Sequence, residues 1–231
     1  MRQRLQLQLP RLLLDPLQRD LPCGDADGLL PVELELEGGQ LAAIRPLPSP
    51  AALPLALTPL VDAHVHLDKA FTWAAFPNRS GTMADALAAN LAEGELRSRA
   101  AVLERAERAL EQAWCYGLRA LRSHVDSGGP AAEPSWEALL ELQGRWRGRL
   151  ELQLVALAPL QHWLSEPGRQ LARRVADAGG LLGGVLGPPF PRSHHDRSAL
   201  RALLQLPAAW ACCHSPLSGS WRSGWLPQTW V

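Results

Sequence analysis

A chain of 231 residues at 25.2 kDa is long enough to bury a core without disulfides or a structural metal, which excludes a knottin-like scaffold. Lys+Arg and Asp+Glu both total 23, so no net field exists to hold a nucleic-acid backbone or an anionic membrane, and neither is expected as a partner. The cysteines, Cys23, Cys115, Cys212 and Cys213, form no CxxC pair, a pattern that points to a reducing, cytoplasmic compartment.

The N-terminal run LQLQLPRLLLDPL is broken by Gln, Pro, Arg and Asp before it reaches secretory or membrane-spanning length. Arginine supplies 22 of the 23 cations and leucine numbers 45 against a single isoleucine, as expected of a gene under strong G+C pressure. Individual Leu and Arg choices therefore carry little functional information, and the sole lysine, Lys69, carries more than a lysine usually does.

In chain order, LQLQL at 5–9 and VELELE at 32–37 alternate with period two, Gly38-Gly39 reads as a hairpin turn, and LAAIRPL returns after it. Residues 1–58 thus read as a small β segment. After the Pro-rich stretch that follows, short apolar runs alternate with helix-length segments. The pattern predicts a strand over 60–66 and a helical stretch over 82–115, broken near Gly94, with Leu96, Leu103, Leu110 and Trp114 on one face. A strand over 118–125, a helix over 135–146, a strand over 150–157, a helix over 166–178, a strand over 181–186 and a short helix over 198–206 complete the series. Strands separated by such helices require right-handed crossovers and a parallel sheet, so 59–206 is expected to be α/β, either doubly wound or about four βα units of a (β/α)8 barrel.

The most informative segment is VDAHVHLDKAFT at 61–72, where His64 and His66 stand two apart at the C-terminal end of a predicted strand. Side chains at i and i+2 leave one face of a strand with backbones about 7 Å apart, so two imidazoles can converge on one divalent transition metal. Asp62, Asp68 and Lys69 bracket them with charge. RSHVDS at 122–127 ends the next strand and puts His124 and Asp126 toward the same mouth, either as substrate or ligand-orienting groups or as a buried pair steadying the loop. Gln161 and His162 follow the third strand with no fixed direction. Gly183-Gly184 with Gly187-Pro188-Pro189 lacks nucleotide-loop spacing and reads as a turn. Asp196 or Ser198 is expected to cap the last helix, and Arg145, Arg147 and Arg149 to form a solvated helix end. Cys212-Cys213-His214 does not read as a metal cluster, because adjacent cysteines on a strand point apart.

HVHLDKAFT at 64–72, NRSGT at 78–82, RSHVDS, LQLVALAP at 152–159 and GGVLGPPFP at 183–191 together resemble the amidohydrolase superfamily, and within it the metal-dependent, cytosine deaminase-like branch. The resemblance covers roughly 25–206. It implies a (β/α)8 barrel with a small β-sandwich, one Fe or Zn ion held by His64 and His66, and hydrolytic deamination of a cyclic amidine or nucleobase by metal-activated water. It further implies a substrate-facing or supporting role for His124, Asp126, Gln161, Asp68 and Lys69. A small nucleobase-like molecule is the expected partner, with self-association or aggregation through open barrel edges. Hydrolysis of another cyclic amide or amidine stays open, as does a non-enzymatic remnant or a half-barrel completed by a second chain.

The family pattern stops early. Its fifth-strand His-x-Asp-Glu and final Asp have no counterpart, and His214, followed by Ser215-Pro216-Leu217, is at best a weak metal candidate. The last 25 residues, 207–231, hold 4 of the 9 tryptophans and one charged residue, Arg222, with no periodicity. The expectation is a chain that leaves the family frame near Leu206 and is inactive alone.

Overall fold

The computed structural model describes residues 2–15, 21–48, 52–185 and 193–211. They fall into two compact units, Met1–Pro59 and Leu60–Val231.

In the first unit, β1 (Arg2–Pro10), β2 (Leu29–Glu37) and β3 (Gln40–Pro46) pair antiparallel in that order. The alternation of β2 turns Leu30 and Val32 inward onto Leu7 and Leu14. Gly38 and Gly39 both hold positive φ, 61° and 81°, which suits the two-residue turn between the paired Glu37 and Gln40. A register shift after Glu35 leaves that carboxylate buried, and Arg2 and Arg45, the latter at 2.9 Å, neutralise it.

In the second unit, β4 (Leu60–Val65), β5 (Leu118–Asp126), β6 (Glu151–Pro159) and β7 (Leu181–Val185) form a curled parallel sheet in sequential order. Helices α1 (Met83–Leu96) and α2 (Arg99–Cys115) link the first pair, α3 (Ala132–Arg145) and α4 (Glu166–Asp177) the next two, and α5 (His194–Ala211) follows β7. This is the α/β half-barrel expected of four βα units. The core lies between sheet and helices, where Leu121, Val125, Leu154 and Ala156 meet Leu110, Trp136, Leu139, Leu142 and Trp163. Two of the buried indoles find acceptors: Trp136 donates to Ser127 Oγ at 2.9 Å and Trp163 to the Gly183 carbonyl at 3.2 Å. Because β5 sends Leu121, Ser123 and Val125 to the helices, Arg122, His124 and Asp126 are left on the opposite face.

Several local expectations need correction. The long helical stretch breaks at Arg97-Ser98 instead of Gly94, because Ser98 caps α2 by accepting from the Ala101 N–H, while Thr82 caps α1 in the same way. Leu96 is 75% exposed, and Val102, Ala106 and Leu110 make the buried face of α2. The last helix starts four residues before 198 and runs into the segment read as aperiodic. Its cap is Ser193, which exchanges hydrogen bonds with Asp196 at 3.0 and 3.3 Å as a capping box. Gly183 and Gly184 lie within β7 and not in a turn: a Cβ at Gly184 would stand 2.6 Å from Leu160 Cδ2 and 3.0 Å from Leu203 Cδ2, so the glycine lets these leucine ends pack close to the strand. Residues 186–192 and 212–231, with Gly187-Pro188-Pro189, Cys212, Cys213 and His214, lie outside the described residues. Cys23 and Cys115 are free and exposed, and among the described residues no helix is long and apolar enough to cross a membrane.

Candidate functional site

The parallel pairing of β4 with β5 sets Val65 against Ser123, which brings the histidines that flank these positions together at the C-terminal ends of the strands. His64 stacks on His124 with ring centres 3.9 Å apart and planes 16° from parallel. His66 meets His64 edge-on at 5.4 Å and lies 6.0 Å from His124. The Nδ1 atoms of His66 and His124 are buried without a hydrogen-bond partner. Burial, reinforced by the Lys69 ammonium, pushes His66 down to about 4, and burial with the neighbouring His64 lowers His124 as well. Near neutral pH the His66 ring is therefore uncharged, with a lone pair to offer. Asp62 anchors the strand end by accepting from the His64 backbone N–H at 3.0 Å.

Asp126 stands beside this cluster and accepts from Lys69 at 2.7 Å and from Asn90 of α1 at 3.0 Å. Burial alone would raise its carboxyl, but the Lys69 hydrogen bond and charge, with Asn90, hold it below its ordinary range. Lys69 is thus tied across the mouth to the second strand.

Asp68 plays a different part from the one its position in the motif suggests. It is fully buried, held by Arg97 at 3.0 Å with Ser135 alongside at 3.4 Å, and burial outweighs the Arg97 charge and pushes it up to about 6. The Arg97 side chain, 1% exposed, also donates through Nε to Glu93 at 2.8 Å, and Arg105 reaches Glu93 at 2.5 Å. Burial would raise Glu93, but these two guanidiniums keep it below the usual carboxylate range. A buried ion-pair network therefore fastens the HLDK loop to α1, α2 and α3. Arg97, Glu93, Asn90 and Ser135 carried no sequence signal, since arginine is used throughout and the four are linked only by the fold.

Gln161 donates to Asp196 of α5 at 2.8 Å, and His162 packs edge-on against Trp163. The structure joins neither to the histidine cluster. Among the described residues no group of three His, Cys, Asp or Glu side chains converges as a metal-ligand set. The pair His64 and His66 fits a divalent ion as part of a set: one ring is uncharged and has a buried, unpartnered nitrogen.

No protein-family model matches the chain. It is 33% identical over 170 residues to a pterin deaminase of Rhizobium rhizogenes, which spans 69% of this chain and 39% of the relative. It is 28% identical over 195 residues to an N-isopropylammelide isopropyl amidohydrolase of a Pseudomonas species, across 78% of this chain and 44% of the relative. Its fold superposes on a 5-methylcytosine deaminase of Klebsiella pneumoniae with a TM-score of 0.68 at 22% identity, covering 90% of this chain and 49% of that one. The chain belongs to the amidohydrolase superfamily. Its four-stranded parallel sheet is a half-barrel of that TIM-type fold, and the chain spans less than half the length of the curated relatives it matches. In this chain the histidine cluster lies at the C-terminal ends of the strands, the end where barrel enzymes build their active sites.

Proposed function

We propose that the chain carries the first half of a metal-dependent hydrolytic deaminase site for a cyclic amidine, the class that includes cytosine, pterin and amino-triazine rings. The observation that carries this reading is the clustering of His64, His66 and His124, their ring centres 3.9 to 6.0 Å apart, at the C-terminal ends of β4 and β5. The named activities of the relatives support it.

His64 and His66 would hold the ion, which when bound supplies the Lewis acidity that activates water near neutral pH. Asp126 holds Lys69, whose remaining N–H groups would suit a ring carbonyl or ring nitrogen. His124, stacked on His64, walls one side and keeps that ring from rotating. The buried Asp68–Arg97 pair fixes the loop after His66, so the imidazoles need little reorganisation to receive a ligand. Catalytic sites of this kind use three or more protein ligands and a placed acid/base, and the sequence holds no His-x-Asp-Glu run. Accordingly the chain alone binds metal and does not turn over.

Calorimetric titration with zinc tests the reading. One equivalent should bind, and His64→Asn or His66→Asn should each weaken it more than tenfold; affinity indifferent to both substitutions refutes the site. Ammonia release from cytosine or pterin by the zinc-loaded chain should be absent, and steady release would overturn the claim of inactivity.

A second reading rests on the sheet edges. Outer strands β4 and β7 have one sheet neighbour each among the described residues, and they expose Val61 and Val185 by 69% and 58%. Such edges favour pairing with another chain. Light scattering should then show association that rises with concentration, and a monomer at high concentration rejects this reading.

A further inference from the structure

A helix lying on a sheet ordinarily turns its large apolar residues inward. Helix α1 does the reverse: Met83, Leu87 and Leu91 are 75%, 55% and 70% exposed, and Glu93 is its one buried residue. The face that α1 turns to the loop after His66 carries Ala86, Ala89, Asn90 and Glu93, at the i, i+3, i+4, i+7 spacing of one helical stripe. The two alanines leave a cavity of about 280 Å³ where a packed core would place leucines. That is just under the usual size of a small-molecule pocket and enough for a ring system.

Three aromatic side chains, Phe71, Trp73 and Phe76, also line the cavity. Trp73 is 63% exposed, and Phe71 holds a φ of 59°, a left-handed conformation that a bulky residue rarely adopts. Arg108 sits 4.3 Å over the centre of the Phe71 ring and pins it there. The polar lining includes Lys69 and the Asn90 amide, each with one bond to Asp126 and with further N–H groups to give. The Asn90 carbonyl is turned to Arg97 at 3.5 Å, and the Glu93 carboxylate is taken by Arg97 and Arg105, so Lys69 and Asn90 offer donors. Aromatic lining together with these donors suits a planar ring rich in acceptors.

We propose that this cavity is a binding subsite for the part of the substrate that extends beyond the reacting ring, a planar, acceptor-rich heterocycle stacked among Phe71, Trp73 and Phe76 with its carbonyl edge on Lys69 and Asn90. The site therefore prefers a fused bicyclic amidine to a single ring. The identity of the ligand as substrate rests on the deaminase reading above. The link to the histidine cluster is Asp126, which holds both donors and lies two residues from His124.

The test is calorimetry on the whole chain in EDTA with two probes, pterin for the fused ring and cytosine for the single one. Pterin should bind at least tenfold more tightly. Ala89→Leu, which fills the cavity, and Lys69→Met, which removes the donor, should each weaken pterin by tenfold or more. Equal affinity for the two probes, no pterin binding, or undiminished pterin binding by Ala89→Leu would overturn the subsite. Should Ala89→Leu fail to fold, Phe76→Ala opens the wall instead, and retained affinity in that variant counts equally against it. Zinc affinity measured on the same proteins separates the two readings: loss of zinc dependence on His64 and His66 with pterin selectivity intact sinks the metal site and leaves the subsite standing.

Discussion

Replacing Arg97 by methionine removes the one cation shared by two buried carboxylates. Asp68 is 0% and Glu93 4% exposed; Arg97 reaches Asp68 at 3.0 Å and, through Nε, Glu93 at 2.8 Å. Methionine matches the aliphatic stem and supplies no donor, so Asp68 keeps only Ser135, at 3.4 Å, while Glu93 keeps Arg105. Taking one partner from a buried pair costs about 3–5 kcal/mol, chiefly because the charge left behind is desolvated and unanswered. The retained Arg105 contact puts the expected loss at about 3 kcal/mol. Removing the Asp68–Arg97 pair together is cheaper, so Arg97→Met combined with Asp68→Asn, which leaves Glu93 with Arg105, should recover most of it, leaving a deficit of about 1 kcal/mol. Urea unfolding at neutral pH, followed by tryptophan emission and far-ultraviolet dichroism, reads both variants. A single-variant loss below about 1 kcal/mol, or a double variant no better than the single, refutes the claim that the network fastens the loop by charge compensation.

Trp136→Phe keeps most of the apolar burial but leaves Ser127 Oγ without its 2.9 Å donor, and should cost about 1–3 kcal/mol in the same unfolding assay. Gly184→Ala forces a Cβ to within 2.6 Å of Leu160 Cδ2 and 3.0 Å of Leu203 Cδ2; overpacking of this kind costs about 1–3 kcal/mol, and an unchanged midpoint would show that the leucines simply step aside. For Glu93, whose folded pKa is depressed, the protein binds fewer protons at this site than the unfolded chain does. Its stabilisation is present above the ordinary carboxylate pKa and is lost as pH falls through the depressed value. Stability in acid should decline less steeply in Glu93→Gln than in the parent, and equal slopes reject the assignment. Ser193→Ala removes the cap of α5 and should cost about 0.5–2 kcal/mol, read as helicity lost on warming.

Period and punctuation alone determined the order of the elements. The alternation of VELELE and the paired glycines after it dictate a hairpin, because only one side of a strand can be buried and only glycine accepts both turn conformations without strain. The βα rhythm after residue 60 dictates a parallel sheet, because parallel neighbours require a long crossover. The HxH pair was legible for a similar reason: i and i+2 share a face whatever the tertiary structure becomes. What tertiary structure decided is which polar groups meet across those local patterns. Asp68 reads in sequence as a neighbour of Lys69 at the mouth, yet the 3-10 turn at Leu67–Lys69 sends it into the protein to Arg97, twenty-nine positions away, and gives Lys69 to Asp126 on another strand. Gly183 and Gly184 read as a turn because glycine has two uses, backbone freedom and close approach, and only the neighbours Val155 and Leu160 show that the second applies. Capping likewise went to Ser193 because a helix start is set by which side chain reaches the open N–H groups, a matter of a single residue that periodicity does not resolve. Arg97 was hidden by composition: where nearly every cation is arginine, only burial distinguishes the one that holds the loop.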